Sequence, residues 1–474
     1  MFILFRRNYP VLFPILVFFC TLLLLLSKEP AELSDDGAFF FRYAENILQG
    51  EFWVWNKGQP PIWGASAPLF PLLLAIPLGL GFSAQSIAIH LGALLFAAAT
   101  TLSCYSLHRF ISHRSSVVFF LLILLNQTLQ NWSISGMESS VTLFILSLSL
   151  FRFLNPHSSA LSTGLSIGLL GIHKIDLVPI AFFLILHLWW KRTQFPKKET
   201  SIALLFFCCW FLFAYAYFGS VLPTSFWHKF QLSSMGSTSL SWHWFPSLLF
   251  LHGSHFLLCI SLLPFVFSRS KTRLEQLFLS LLCSSILSHV LAYSLYPPIE
   301  PYAWYSIPSL FLLLLLSSIG LSRIAEYSQW LFRFCLILIG IIGVPTERQQ
   351  SKQWMKYLET VERDRSNAGR WINEHTANDS VILTGWGNAA YHSHREVIDS
   401  SFLHRHPSRT VWNHRSPPIY IIYQGTLGSS PDAPEFDILQ GRKRRQYELV
   451  KLFDQGYQNG FSTYYGVLKR KELP

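Results

Sequence analysis

Ser34-Asp35-Asp36-Gly37-Ala38-Phe39-Phe40-Phe41-Arg42-Tyr43-Ala44-Glu45-Asn46 comes shortly after the first long apolar run of this chain. It sets two adjacent carboxylates at the end of a membrane-length segment. Acids are scarce elsewhere, with 26 Asp and Glu against 37 Lys and Arg. Ser34 is a good N-cap, and acids in a first turn favour the helix dipole. Phe39, Phe40, Tyr43 and Ile47 recur at helical spacing opposite Arg42, Glu45, Asn46 and Gln49. The pattern predicts an amphipathic helix lying on the membrane and ended by Gly50. The same geometry serves chemistry, because a helix N-terminus and a nearby Arg42 keep a carboxylate ionised, as a general base requires. Cap and base both remain open on the residues alone.

Outward from this stretch, the chain reads as a membrane protein. Of 474 residues, 51% are hydrophobic and 13% charged, where soluble proteins are nearer about one quarter charged. Apolar runs recur from Val11 to about Val344, many near the roughly 17–25 residues that cross a bilayer. From Pro345 the composition turns mixed and polar. The expected fold is a polytopic α-helical membrane domain over 1–345, with a first external loop at 28–84, followed by an α/β soluble domain over 346–474. Candidate spans lie at 11–27, 85–107, 116–132, 140–154, 160–173, 177–190, 201–218, 245–268, 274–295, 303–320 and 328–344. Arg6 and Arg7 precede the first of them, and Ser27-Lys28-Glu29-Pro30 offers no cleavage site, so an uncleaved span with a cytoplasmic N-terminus is expected.

The basic loops Arg109–Arg114, Lys191–Lys198, Arg269–Arg273 and Arg323 fall on one side of the membrane, the cytoplasmic one, if residues 68–107 cross once. Leu69–Leu80, with Pro68, Pro71 and Pro77, then reads as a juxtamembrane or re-entrant piece. That parity gives eleven spans and puts the soluble domain outside. It also gathers Asp35-Asp36, Glu138, Lys174, Asp176, His228-Lys229 and Glu300 on the external side.

The remaining features exclude more than they assign. All seven cysteines lie in apolar segments and read as small buried hydrophobes, not a disulfide or metal framework. The charge of +11 suits contact with anionic lipid. It does not point to nucleic acid, since many of the cations flank spans instead of lining one groove. Trp53, Trp55, Trp63, Trp227, Trp242, Trp244 and Trp304 suit an interfacial belt, with a minority free to stack on sugar or prenyl groups. His392-Ser393-His394 would place two rings on one face of a strand, without acidic or Cys partners at metal spacing. The tail predicts a helix over 353–375 and strands at 381–384, 396–399, 418–423, 447–453 and 463–468.

Among the candidate site residues, Glu138 follows a polar stretch between apolar runs. It suits either a snorkelling span end or a group that binds sugar hydroxyls. Lys174, His228 and Lys229 suit either snorkelling or stabilisation of a departing phosphate.

The ordered set Asp35-Asp36-Gly37-Ala38-Phe39, Arg42-Tyr43-Ala44-Glu45-Asn46, Val54-Trp55-Asn56-Lys57-Gly58, Ser135-Gly136-Met137-Glu138, Tyr217-Phe218-Gly219 with Leu222-Pro223-Thr224, and Trp304-Tyr305 resembles GT-C fold glycosyltransferases. The bacterial relatives of the mycobacterial arabinofuranosyltransferases look nearest. Protein mannosyltransferases and lipid A aminoarabinose transferases are more distant. Such a resemblance implies an integral enzyme of a bacterial inner membrane. It would move a sugar from a polyprenyl-phosphate donor to a hydroxyl of an envelope glycan, lipid or protein, with inversion and on the extracytoplasmic side.

The resemblance further implies Asp35 as catalytic base and Asp36 as its assistant or a ligand to a divalent metal. The substrate-binding set would be Arg42, Glu138, Lys174, Asp176, His228 and Lys229. His173-Lys174-Ile175-Asp176 stands where the family often has an Arg-Pro-acid-Gly motif. The rival expectations are a lipid-linked sugar flippase and a non-catalytic envelope scaffold.

Overall fold

The computed structural model describes residues 2–226, 272–295, 303–400, 419–426, 446–458 and 461–471. Its helices are α1 (Phe2–Leu26), α2 (Asp35–Leu48), α3 (Leu69–Gly79), α4 (Ala84–Phe110), α5 (His113–Leu125), α6 (Gln127–Ser133), α7 (Ser139–Leu154), α8 (Ala160–His173), α9 (Val178–Arg192), α10 (Lys197–Phe218), α11 (Arg273–Leu295) and α12 (Ala303–Tyr327). A helical run, α13, follows over Gln329–His375. Among the described residues, α4, α10, Arg273–Tyr293 of α11, α12 and part of α13 are long and apolar enough to cross a membrane. The helix α12 is buried throughout its apolar window and stands at the centre of the bundle. By contrast α10 leaves Leu204, Leu205 and Leu212 bare, as a lipid-facing helix does. Cys208 and Cys209 are exposed on that face, so the buried reading fails for them, whereas Cys104 is buried.

Two boundaries differ from expectation for identifiable reasons, and α3 is as short as its apolar run. The span expected over 116–132 breaks at Asn126, whose side chain caps α6 by accepting from the Leu129 amide at 2.8 Å. Glu347 of α13 supports the break by accepting from the Thr128 amide at 3.1 Å. The expected domain boundary at 345/346 has no linker, because α13 runs straight across it. A π-helical turn over Ile339–Gly343 precedes Pro345, which sits in the first turn of the following α-helical segment. That irregular turn accommodates the missing proline N–H. Finally, α3 has 11 residues, about 16 Å of helix, against a hydrocarbon core of about 30 Å.

The tail carries a five-stranded sheet in the order β2-β1-β3-β5-β4. The strands are β1 (Val381–Thr384), β2 (Glu396–Asp399), β3 (Tyr420–Thr426), β4 (Tyr447–Gln458) and β5 (Phe461–Arg470). Both β2 and β3 pair parallel with β1, while β5 is antiparallel to β3 and β4. A short helix, α14 (Gly387–Ser393), joins β1 to β2 and packs with α13 and α2.

That packing changes the character of α2. It is buried on nearly every side, including Arg42 and Asn46, so it is not a helix floating on lipid. Arg42 donates to the carbonyls of Trp55 (3.1 Å), Ala390 (2.7 Å) and Arg395 (2.9 Å), and to Asn56 Oδ1 (3.0 Å). Its guanidinium also lies 4.7 Å from the centre of the Trp55 ring. Trp53, Trp55 and Trp63 are the core of this loop and not an interfacial belt. Trp55 stacks among Phe39 and Tyr43, because the loop folds on itself and under the tail.

Candidate active site

Five helix ends converge beside the loop over residues 28–84. Glu138 is the residue preceding α7, and the turn before it needs Gly136 at φ +85°. Lys174 ends α8 in an extended conformation, and Asp176 sits in the single 3-10 turn that leads into α9. Tyr293 comes from the last turns of α11 and Tyr305 from the first turn of α12. Lys174 Nζ is 2.9 Å from Glu138 Oε1 and 3.8 Å from Asp176 Oδ2. Asp176 Oδ2 also accepts from the Tyr293 hydroxyl and lies 3.8 Å from His289 Nε2. His289 Nδ1 is in turn 2.8 Å from Ser309 Oγ.

Lys174, Glu138 and Asp176 are all largely withdrawn from solvent, so this is one cation shared by two acids at low dielectric. Glu138 Oε2 and Asp176 Oδ1 have no hydrogen-bond partner among the described residues. Buried acceptors of that kind are costly unless a ligand donor meets them. A cavity of about 190 Å³ opens here, lined by Ser66, Lys174, Asp176, Phe226, Tyr293 and Tyr305 among others. Lys174 stands between the two carboxylates, where a divalent ion bridging them would have to sit. Among the described residues no three His, Cys, Asp or Glu side chains are grouped to hold a metal. His392 and His394 belong to the end of α14 and not to a strand, because His394 takes a left-handed conformation (φ 46°) that ends the helix. They face Glu32 and Glu45 separately, each at 3.9 Å.

The two aspartates part company. Ser34 caps α2 only through its backbone; its hydroxyl donates to the Ser135 carbonyl at 2.9 Å. A Cβ on Gly37 would press against that same turn at 3.0 Å, so glycine lets α2 seat on the segment that carries Glu138. Asp36 then lies within electrostatic reach of Tyr305, as do Lys174, Asp176 and Glu138. Asp35 turns to the tail. Its Oδ1 accepts from the Asn388 amide at 3.2 Å and is 3.8 Å from Arg365 Nη1. Arg365 pairs with Glu362 at 2.8 Å, is bonded by Tyr465 and Tyr357, and lies 3.7 Å from the Trp386 ring centre. Burial pushes the Asp35 carboxyl above its ordinary range, against the pull of Arg365 and of the Asn388 and Gly387 amides. Arg42 has its guanidinium committed to the loop–tail junction described above. His228 and Lys229 lie outside the described residues, directly after the Ser225-Phe226 wall of the cavity.

The fold built by these elements is a known one. No protein-family model and no curated protein matches the sequence. Solved structures do match. ArnT from Cupriavidus metallidurans bound to undecaprenyl phosphate superposes over 97% of this chain and 98% of its own, with a TM-score of 0.62 at 10% identity. The chain shares the fold of ArnT. The apo state of ArnT gives a TM-score of 0.57 at 13% identity over 98% of both chains. The archaeal oligosaccharyltransferase AglB from Archaeoglobus fulgidus, in complex with an inhibitory peptide and a dolichol-phosphate, gives 0.53 at 14% identity. The match covers 84% of this chain but only 65% of AglB, whereas the likeness to ArnT runs end to end. The bundle of apolar helices with a small sheet in the tail, expected from the sequence, is thus observed, and it resembles ArnT.

Sequence reasoning missed His289, Tyr293, Glu362, Arg365 and Asn388. His289 and Tyr293 stand four residues apart on α11, hence on one helix face, which is a readable signal. Arg365 and Glu362 carried none, since a charged helix in a soluble tail is ordinarily a solvated one.

Proposed function

We propose that this protein is an inverting membrane glycosyltransferase, which moves a sugar from a polyprenyl-phosphate donor to a hydroxyl of an envelope glycan, lipid or protein on the extracytoplasmic face of a bacterial inner membrane. The observation that carries the proposal is the buried Glu138–Lys174–Asp176 cluster beside Asp36, opening into a cavity within a fold shared end to end with a protein solved holding undecaprenyl phosphate.

The acceptor hydroxyl attacks the anomeric carbon from the face opposite the phosphate. The bond from that carbon to the phosphate oxygen breaks, its electron pair leaves with the polyprenyl phosphate, and the acceptor proton passes to a carboxylate. The resemblance implied Asp35 for that base. We assign it to Asp36, because Asp36 is within electrostatic reach of Tyr305 in the cavity wall while Asp35 is engaged by Arg365 and Asn388.

Glu138 and Asp176 offer their open oxygens to donor-sugar hydroxyls, and Lys174 holds the two apart. Because Lys174 is already balanced by two acids, most of the charge for the leaving phosphate is assigned to His228 and Lys229, which follow the cavity wall in sequence. The test is to incubate the purified protein with a panel of polyprenyl-phosphate pentoses and hexoses and follow donor consumption. Wild-type protein should consume one donor and Asp36→Asn none. Failure of the wild type on every donor, with an acceptor extract present, overturns the transferase reading. Full activity of Asp36→Asn overturns only the base.

A further inference from the structure

The helices that carry the site also have far ends. The α7 helix starts at Glu138 and finishes at Leu154; α9 starts after Asp176 and finishes at Lys191-Arg192; α11 begins at Arg273 and finishes beyond Tyr293. At about 1.5 Å per residue, the 23 residues of α11 separate its two ends by about a bilayer's hydrocarbon thickness. At these far ends lies a second cavity, of about 420 Å³, lined by Arg109, Lys191 and Arg273 together with Phe110, Leu154, Pro156, Leu274 and Leu277.

Its charge is one-sided. Two arginines at this end of the bundle are paired, Arg192 with Glu199 and Arg323 with Glu275 and Glu326, while Arg114 and Arg152 lie outside the cavity wall. Arg109, Lys191 and Arg273 form no ion pair among the described residues, and no acid lines the cavity. Two of them are held in place by carbonyls. Lys191 Nζ donates to the Phe153 and Leu154 carbonyls, capping α7, and Arg273 Nη2 donates to the Trp190 carbonyl at 3.0 Å. An ammonium has three donors and a guanidinium five, so each keeps donors for a ligand. The rest of the wall is aliphatic and aromatic.

We propose that this cavity is a binding site for the phosphate of an anionic glycerophospholipid, with Arg109, Lys191 and Arg273 on the phosphate and an acyl chain along Leu274 and Leu277, on the membrane face opposite the Glu138–Lys174 site. Fixed cations without counter-charges attract an anion, and an aliphatic wall beside them favours one that carries a hydrocarbon chain. Free inorganic phosphate shares the anionic chemistry but gains nothing from that wall. The proposal is independent of the sugar, the acceptor and the base assigned above.

The full-length protein in zwitterionic detergent, titrated with phosphatidylglycerol or phosphatidylcholine and read by native mass spectrometry, tests it. Phosphatidylglycerol should be retained about tenfold more tightly than phosphatidylcholine, and Arg109→Gln/Arg273→Gln should remove that preference. Arg114→Gln, which takes a charge from the same basic loop but not from the cavity, should keep it, as should Arg109→Lys/Arg273→Lys. Equal retention of the two lipids by the wild type overturns the proposal, and so does a preference that survives the double Gln variant. Displacement of phosphatidylglycerol by equimolar inorganic phosphate would show a simple anion site and overturn the lipid.

Discussion

Asp35 Oδ1 accepts its 3.2 Å hydrogen bond from the backbone amide of Asn388, a residue 353 positions further along the chain. The first turn of α2 is therefore fastened to the tail through Asp35, while Asp36 lies within electrostatic reach of Tyr305 in the cavity wall. Asp35 and Asp36 should then fail differently. Asp36→Asn is expected to lower transfer by about a hundredfold or more, the usual scale for a lost general base, with the melting temperature unchanged. Asp35→Asn should lower the melting temperature and leave most of the transfer. Donor-consumption rates and thermal melts of the two variants check this, and the opposite pattern would return the base to Asp35.

Glu362 and Asp35 share the single cation Arg365 in a buried junction. Burial pushes the Glu362 carboxyl up to about 7, against the pull of Arg365 and with the push of Asp35. An acid whose folded pKa is raised keeps a proton that the unfolded chain has released. Its contribution is complete below the unfolded value and is lost as pH rises through the folded one, so stability should fall between about pH 4.5 and about pH 7. Melting curves across that window should show the slope in the wild type and a flatter line in Glu362→Gln. An equal slope in both would place the proton elsewhere.

Arg42→Ala removes four hydrogen bonds from a buried junction; the Trp55 and Ala390 carbonyls keep Asn46 and Ser393 as donors, while the Arg395 carbonyl and Asn56 Oδ1 lose their Arg42 donor. The expected cost is about 3 kcal/mol or more. It should show as a lowered melting temperature and as faster protease cleavage between the membrane bundle and the sheet. Cleavage at the wild-type rate would sink the junction as a structural clamp.

Tyr293→Phe takes away one donor to Asp176 and little volume. Turnover should fall about tenfold, on the scale of one charge-assisted hydrogen bond, with stability near that of the wild type. A change in stability alone, at full turnover, would make Tyr293 a packing residue.

What the sequence disclosed followed the strength of its periodic signals. The short strands β1 and β2 were legible to the residue and the apolar runs of α4, α10, α11 and α12 in place and type, although α10 begins before and α12 ends beyond the expected bounds. Each is set by local hydrophobic patterning and by clear stop signals. The site was legible in its separate pieces, Asp36, Glu138, Lys174 and Asp176, because charges at span ends stand out against an apolar background. How the pieces meet was not, since the approach of Tyr293 and His289 to Asp176 depends on how α11 packs against α9. The burial of α2 was hidden for the same reason. Its polar face reads as a face for water, and only the arrival of Ala390 and Arg395 turns it into an interior.

The bond from Arg42 to the Ala390 carbonyl spans 348 residues. Loop and tail are far apart along the chain, so the order of synthesis bears on the order of folding. At roughly 5–20 residues per second, Arg42 would wait on the order of half a minute before its two acceptors in the tail exist. Until then the loop that carries the Asp pair has no tail to close against. A segment translated 348 residues later thus closes over this loop, so that a chain stopped before Ala390 would carry the acidic motif without the tail that covers it.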